Sequence, residues 1–521
     1  MSGLWRKKTI EQSIADTDEP ETRLRKDLSA WDLTVFGVAV VIGAGIFTLA
    51  ASTAGNLTGP SVTVSFVLAA IACGLAAVCY AEFASTVPVA GSAYTYSYAT
   101  FGEFIAWILG WDLILEFALA AAVVGKGWSS YLQTVMGSFG LNTSTTVSIA
   151  GLDFDWGAVL IVVALSVLLA LGTKMSSRVS QVITAIKVFV VLLVIAVGIG
   201  YINTDNYSPF IPPAAEASAS GHGGLEQSLF SLISGVETSQ FGVYGMLAGA
   251  ALVFFAFIGF DIVATTAEET KNPQRNVPRG ILGSLAIVTV LYVAVSLVIT
   301  GIRPYTELKN KVGPNGETVR ANLATAFSDA GINWLGINWS QIIAVGALAG
   351  LTTVVMVLLL GQSRVLFAMS RDGLIPRGLA VTGNRGTPVR ATVLVGIVVA
   401  IAAGFFPTGT LEEMVNVGTL FAFVLVSAGV LVLRKTHPHL PRGFRAPMVP
   451  LVPILAILAC LWLMLNLTAL TWVRFLIWMV LGVVVYFAYG ARHSVLRSRE
   501  VQLGEGGSVK AESSEKSDAK D

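Results

Sequence analysis

Ionisable side chains inside long apolar runs are the first candidates for chemistry, because a charge in hydrocarbon is costly and persists only with a partner or a task. Lys187 sits in VITAIKVFVV, within an apolar run over 179–202. It lies about eight residues, and so roughly 12 Å, into that run. Its stem can cover apolar surface while the ammonium reaches the interface. Alternatively the ammonium points inward, where a broken helix supplies carbonyls that hold a cation and where proton exchange becomes feasible. The second reading makes Lys187 the candidate for proton coupling. Glu116, in LILEFALA, lies roughly 20 Å along a helix from Glu103 and must face the interior of a bundle. It either bonds a neighbouring helix or approaches a bound solute, and the latter favours a basic one. Leu351, in ALAGLTTV, would present a bulky apolar group to the same pocket and suits a small neutral solute. Glu82, Asp261, Glu268 and Glu269 fall toward one end of their runs, with Arg364, Arg371 and Asp372 expected nearby. They read as an inner charged gate or as solvated helix ends. Asp112 and Lys126 are weaker candidates, and Lys126 can simply snorkel.

Two apolar runs are interrupted. Val41-Ile42-Gly43-Ala44-Gly45-Ile46-Phe47 places two glycines one residue apart in the first run, and each glycine costs about 1 kcal/mol of helix propensity. Phe254-Phe255-Ala256-Phe257-Ile258-Gly259-Phe260-Asp261 places a glycine between aromatics, followed by a carboxylate, in the sixth. Close packing of small residues explains either one alone. Their correspondence says more, since the first run opens one set of five and the sixth opens a second set of opposite topology. Paired breaks of this kind free N–H groups for a carboxylate and C=O groups for an ammonium, so they suit a zwitterion.

The elements that position these residues are helices in a bilayer. Of the 521 residues, 54% are hydrophobic and 12% charged, with a mean hydropathy of +0.74, too apolar for a soluble domain. Apolar spans are predicted at roughly 33–52, 61–86, 104–133, 156–172, 179–202, 244–268, 279–302, 340–369, 389–407, 410–433, 449–470 and 472–490. Their length and lack of alternation predict an all-α polytopic membrane protein of about 12 transmembrane helices, not a barrel. Lys and Arg concentrate in alternate connections (Lys174 and Arg178; Lys271, Arg275 and Arg279; Arg371 to Arg390; Arg434 to Arg445; Arg492 to Arg499), whereas 134–155 and 203–243 contain none. Both termini are therefore expected on the cytoplasmic side of a cytoplasmic membrane. The expected organisation is a cytoplasmic segment over 1–30, a single membrane domain over 31–490, and a polar tail over 491–521 that is too hydrophilic to fold. No cleaved signal peptide is expected before Trp31. Cys73, Cys79 and Cys460 lie in apolar runs without metal or disulfide spacing. The net charge of +1 implies no nucleic-acid partner.

Four stretches carry a resemblance. They are IGAGIFTLAA at 42–51, CYAEFASTVPVAGSAYTYSYATFGEFIAWILGWDLILEF at 79–117, FFAFIGFDIVATTAEETKNPQRNVPRGI at 254–281 and GQSRVLFAMSRDGLIP at 361–376. From Leu28 to about Arg499 the chain resembles the amino acid–polyamine–organocation superfamily, and within it the bacterial relatives of the cationic amino acid transporter family. That resemblance implies a LeuT-like fold of two inverted five-helix repeats, about 33–202 and 244–433, with peripheral helices over about 449–490. It also implies proton-linked uptake or exchange of amino acids. The substrate carboxylate would meet the backbone of Gly43, Ala44 and Gly45, and the amine the carbonyls near Val41, Phe255, Ala256 and Ile258. Phe260 would be an aromatic lid on the outward side. Lys187 would take the place of the ion held in sodium-coupled relatives.

Other functions fit less well. The spans contain no HExxH pair, GxSxG elbow or Cys/His cluster, and His222, His437, His439 and His493 fall in loops or tails, which argues against an enzyme and against a cofactor or metal. A sensor on the same fold would be expected to lose the coupling group or gain a signalling domain. A channel needs a continuous polar lining. The expected partners are a small amino acid, protons and lipid. Symport, exchange and uniport, a neutral or a cationic substrate, and the oligomeric state stay open at this level.

Overall fold

The computed structural model describes residues 28–86, 92–141, 143–149, 152–172, 177–216, 224–236, 239–265, 270–312, 318–381 and 388–497. The segment before Leu28, the end of the tail, and Glu268 and Glu269 lie outside the described residues.

The principal helices, in chain order, are α1 Ala30–Val41, α2 Val62–Thr86, α3 Ser92–Thr100, α4 Glu103–Ser138, α5 Trp156–Ala170, α6 Ser177–Ile199 and α7 Gly242–Val253. They continue with α8 Pro273–Ile302, α9 Leu323–Asp329, α10 Trp339–Arg371, α11 Val389–Phe405, α12 Thr408–Thr436, α13 Leu451–Leu465 and α14 Ala469–Val485. Local chemistry sets several of their starts. Ser29 and Asp32 form a reciprocal capping box on α1, with Ser29 N donating to Asp32 Oδ2 at 2.9 Å. Asp155 ends the short antiparallel hairpin β1 Thr146–Ile149 and β2 Leu152–Asp155 and caps α5 by accepting from Ala158 N at 3.0 Å. Pro273 opens α8, where its missing N–H costs nothing.

Eight helical stretches among the described residues are long and apolar enough to cross a membrane; the first, Ala30–Thr86, spans 57 residues and takes in both α1 and α2. The shorter apolar helices α5, α11 and α13 accompany them. The chain is a predominantly helical, polytopic membrane protein. Among the described residues, strand is confined to three two-stranded ribbons in the connections.

Packing separates an inner set of helices from an outer one. The long helices α4 and α10 run along each other, α12 packs on α4, and α8 packs on α1 and α2. Around them α5 pairs with α11, α13 rests on α12 and α2, and α14 touches α12 and α4. The outer helices turn Val163 and Val167, Ile186 and Phe189, Ile397 and Ile401, Leu458, and Ile477 and Val480 outward. An apolar surface of that extent belongs against lipid.

Candidate functional site

α1 stops because Ile42 leaves helical geometry at ψ 94°, and the chain resumes over Gly45–Leu49 as a wider, π-type turn. α7 gives way to a tight turn over Phe254–Phe257, Ile258 is extended at ψ 137°, and Gly259 follows at φ +114°. A side chain at Gly259 would be strained by that φ and would also come within 2.7 Å of Val40 Cγ1. The two breaks touch. A Cβ on Gly45 would sit 2.2 Å from Ala256 Cα, so only glycine permits this approach.

Each break frees backbone groups, and specific side chains collect the carbonyls. Lys187, fully buried on α6, donates its ammonium to Ala39 O in the last turn of α1. Gly350 of α10 makes room for its stem, since a Cβ there would lie 3.2 Å from Lys187 Cβ. Tyr292 of α8 places its hydroxyl 2.6 Å from Val41 O and 3.0 Å from Ala256 O, touching both breaks. Asn416 of α12 donates to Ala251 O at 2.9 Å in the last full turn of α7. Past the first break, Tyr131 donates to Phe47 O at 2.5 Å. The amides of Gly43, Ala44 and Gly45 head the second half of the first span, where N–H groups have no carbonyl one turn back.

A small cavity of about 20 Å³ lies between the breaks. The backbone of Val41, Gly43, Ala44 and Gly45 closes one side, and Ala120, Val124, Phe255, Ile258, Val354 and Leu358 close the rest. That is room for about one water molecule. The lining away from the breaks is wholly apolar.

The other sequence candidates fall around this centre in distinct places. Leu351 is buried but lies one helical turn from Val354, toward Gly127, whose Cβ would meet Leu351 Cδ1 at 3.8 Å. Glu116 lies one turn from Ala120 along α4 and is buried. Its charged neighbours are Asp261 and Asp112, with Thr419 as a hydrogen-bonding neighbour. Among the described residues, both oxygens of Asp112, one each of Glu116 and Asp261, and the hydroxyls of Tyr80 and Tyr96 have no hydrogen-bond partner. These groups form a second polar region on the far side of the breaks from Leu351.

Phe260 departs from its expected role. It is absent from the cavity lining, packs at 5.2 Å on Phe423 and 6.2 Å on Tyr80, and lies beside Asp261. That end of the sixth span leads to the Lys- and Arg-rich 271–279 segment, and the ring does not close over the cavity between the breaks. Gly259 turns the chain just before it, and the ring fills space between α2 and α12 instead.

Glu82, near which Arg364, Arg371 and Asp372 were expected, has its partners elsewhere in the chain. Arg434 binds it in two-pronged fashion, Nε at 2.9 Å and Nη2 at 2.7 Å, Ala446 N donates at 2.8 Å, and Arg442 Nε lies 3.3 Å away. Arg364 is exposed on α10 and is not among them. Lys126 does not snorkel. Its ammonium donates to Ala403 O at 3.0 Å and lies 3.6 Å from Asp155, tying α4 to α11 and to the cap of α5.

A larger cavity of about 400 Å³ opens on the other face, among Lys126, Asp153, Asp155, Asn310, Arg320 and Asn322. Thr48 and Gly127 line it as well, and a Cβ on Gly127 would lie 3.2 Å from Thr48 and 3.6 Å from Ala44. A thin layer of side chains thus separates this vestibule from the breaks.

Sequence reasoning missed Tyr292, Asn416, Ala120, Val124, Val354 and Leu358. Only the tyrosine and asparagine carried a signal, as polar tips in apolar runs; the remaining four are ordinary helix residues.

Residues 28–488 match the sequence profile of the amino acid permease family. The chain is 44% identical to the methylthioribose transporter of Bacillus subtilis (strain 168), over 95% of this chain and 100% of that protein. It is also 44% identical to the branched-chain amino acid permease BcaP of the same organism, over 95% and 99%. With cationic amino acid transporter 4, vacuolar, of Arabidopsis thaliana it shares 37% identity over 84% of this chain and 68% of that one. A bundle of apolar helices interrupted at two touching breaks accords with these likenesses, and the chain belongs to the amino acid permease family, as a membrane transporter and not an enzyme.

Proposed function

We propose that the protein is a secondary active transporter that takes up a neutral amino acid across the cytoplasmic membrane, coupled to protons, by alternating access. The observation that carries this reading is the contact of the two breaks at Gly45 and Ala256, which gathers freed amides and freed carbonyls around one cavity. The substrate carboxylate binds the amides of Gly43, Ala44 and Gly45 at a positive helix end, and the ammonium binds carbonyls near Val41, Phe255, Ala256 and Ile258. The apolar side chains of Ala120, Val124, Val354 and Leu358 then meet the substrate side chain. Branched aliphatic substrates suit that lining, and one close relative is named as a branched-chain amino acid permease. Glu116 belongs in this reading to the carboxylate region beyond the site, and a cationic substrate is disfavoured. Because the cavity holds little more than a water, binding widens it, and the helices on either side of the breaks move.

Lys187 is the coupling group. Its ammonium occupies a carbonyl of α1 just ahead of the break, so proton loss releases that carbonyl and the helix end together. The architecture in this reading is twelve spans with both termini inside, ten of them in two inverted repeats of five. Glu82, Asp261, Glu268 and Arg364 would then lie on the inner side, where they act on closure and not on the substrate.

Uptake of labelled branched-chain amino acids into proteoliposomes, with and without an inward proton gradient, tests the proposal together with Lys187→Met. Stimulation by the gradient is expected in the wild type and is lost in the variant, while exchange of internal for external substrate survives. Gradient-independent uptake sinks the coupling, and binding without any transport points to a sensor. A second reading rests on the relative named as a methylthioribose transporter. Methylthioribose carries no carboxylate or ammonium, so the breaks would meet hydroxyl groups and the apolar lining its methylthio group. Competition decides: inhibition of amino acid uptake by excess methylthioribose, or its own accumulation, favours that reading.

A further inference from the structure

Tyr292 is fully buried on α8. Its ring is wedged between Phe66, 5.7 Å away, and Phe257, 5.3 Å away, which fixes where the hydroxyl points. That hydroxyl lies 2.6 Å from Val41 O in the first break and 3.0 Å from Ala256 O in the second. A phenol has one proton and can donate to one of these carbonyls at a time. The other carbonyl then faces an oxygen lone pair at contact distance, in a buried place where an unfilled acceptor is unfavourable. The centre is therefore short of one donor, and the missing donor is what a primary ammonium brings.

We infer that Tyr292 is a specificity-determining residue for the substrate's ammonium: by donating to one of the two break carbonyls it leaves one acceptor for a substrate N–H. The inference rests on the amino acid reading above and deepens it. The hydroxyl also ties the breaks together from a third helix, so the pair of carbonyls stays at fixed spacing when the substrate arrives.

The test varies the number of donors at this one position. Tyr292→Phe supplies none, tyrosine one, and p-aminophenylalanine, introduced at the same codon, two N–H groups on a ring of the same shape. The purified full chain in lipid nanodiscs is titrated with the preferred amino acid, and its thermal midpoint is read with and without ligand. The p-aminophenylalanine protein fills both carbonyls itself, so it is expected to keep its midpoint and to bind substrate about tenfold more weakly. Tyr292→Phe is expected to have a lower midpoint without ligand and a larger stabilisation by substrate, because the ammonium then caps both carbonyls. Affinities within twofold of one another across the three proteins overturn the inference. So does equal weakening in both variants, which marks a requirement for ring shape alone. Should Tyr292→Phe fail to fold, the p-aminophenylalanine arm decides by itself. A wild type that binds no amino acid overturns the amino acid reading instead, and that outcome is distinct from an unchanged affinity across the series.

Discussion

At the scale of single residues, glycine and lysine do what their side chains, or lack of one, dictate. Gly45 lets the first break approach Ala256 to a distance that any Cβ would forbid, whereas Gly74 on α2 faces open space, with nothing within 4 Å of an added Cβ. Gly45→Ala is therefore expected to lower the thermal midpoint, at a cost of about 1–3 kcal/mol for the forced separation, and to abolish uptake. Gly74→Ala is expected to leave both within error of the wild type. Parallel thermal and uptake assays on the two variants check this, and uptake retained by Gly45→Ala would mean that the breaks need not touch. The burial of Lys187 and the breaks at Gly43, Gly45 and Gly259 were legible in the sequence because each violates what a plain membrane anchor would use. Tyr292 was not, since a tyrosine in an apolar run looks like any aromatic until its hydroxyl is placed against two particular carbonyls. The partners of Glu82 were illegible for another reason: Arg434, Arg442 and Ala446 follow it by about 350 residues, and charge spacing along the chain does not encode such a pairing.

At the scale of elements, an interrupted helix needs a continuous neighbour to hold its loose ends. α12 runs unbroken over Thr408–Thr436 and sends Asn416 to Ala251 O at 2.9 Å and toward Leu252 O at 3.4 Å. Asn416→Leu keeps the branched shape and removes the donor, and is expected to cost about 1–3 kcal/mol through a buried carbonyl left without its partner. Thermal unfolding of the purified variant reads this directly, with an unchanged midpoint as the contrary result. Hydropathy located the apolar elements well, because length and composition suffice for that. It overstated the length of several. The predicted spans 156–172, 389–407 and 449–470 correspond to helices of 15, 17 and 15 residues, about 22–26 Å long at 1.5 Å per residue. Their starts at Trp156, Val389 and Leu451 fall within two residues of the predicted ones, so the excess lies mainly past the C-terminal ends, where apolar Leu171, Phe406 and Leu467 keep the hydropathy high beyond the last helical turn. The packing of Phe260 on Tyr80 and Phe423 was not legible because one positive-φ glycine redirects the chain after α7, and no periodicity survives such a turn.

At the scale of the whole molecule, the connection between α8 and α9 links both broken and unbroken parts across the vestibule. Asn310 accepts from Ser52 Oγ at 2.9 Å and donates its backbone amide toward Asn56 at 3.4 Å, which fastens the connection to the far half of the first span. A few residues on, Arg320 donates to Glu412 at 2.7 Å, fastening it to the start of α12. Glu412 is 1% exposed, and Arg320 27%. Any movement that parts the first span from α12 on this face must therefore break one of the two ties, and the ion pair is the one that spans the cavity wall. Arg320→Gln removes it at a cost of about 1–2 kcal/mol, since one partner is partly solvated. The vestibule is then open for a larger share of the time, by roughly tenfold. A cysteine at Thr48, which lines that vestibule, reports this opening through its rate of labelling by a membrane-impermeant maleimide. The native Cys73, Cys79 and Cys460 are buried and contribute little background. Faster labelling of Thr48→Cys in the Arg320→Gln background makes the ion pair a latch on the vestibule. An unchanged rate assigns closure to the Ser52–Asn310 tie, and Asn310→Ala in the same assay should then show the increase.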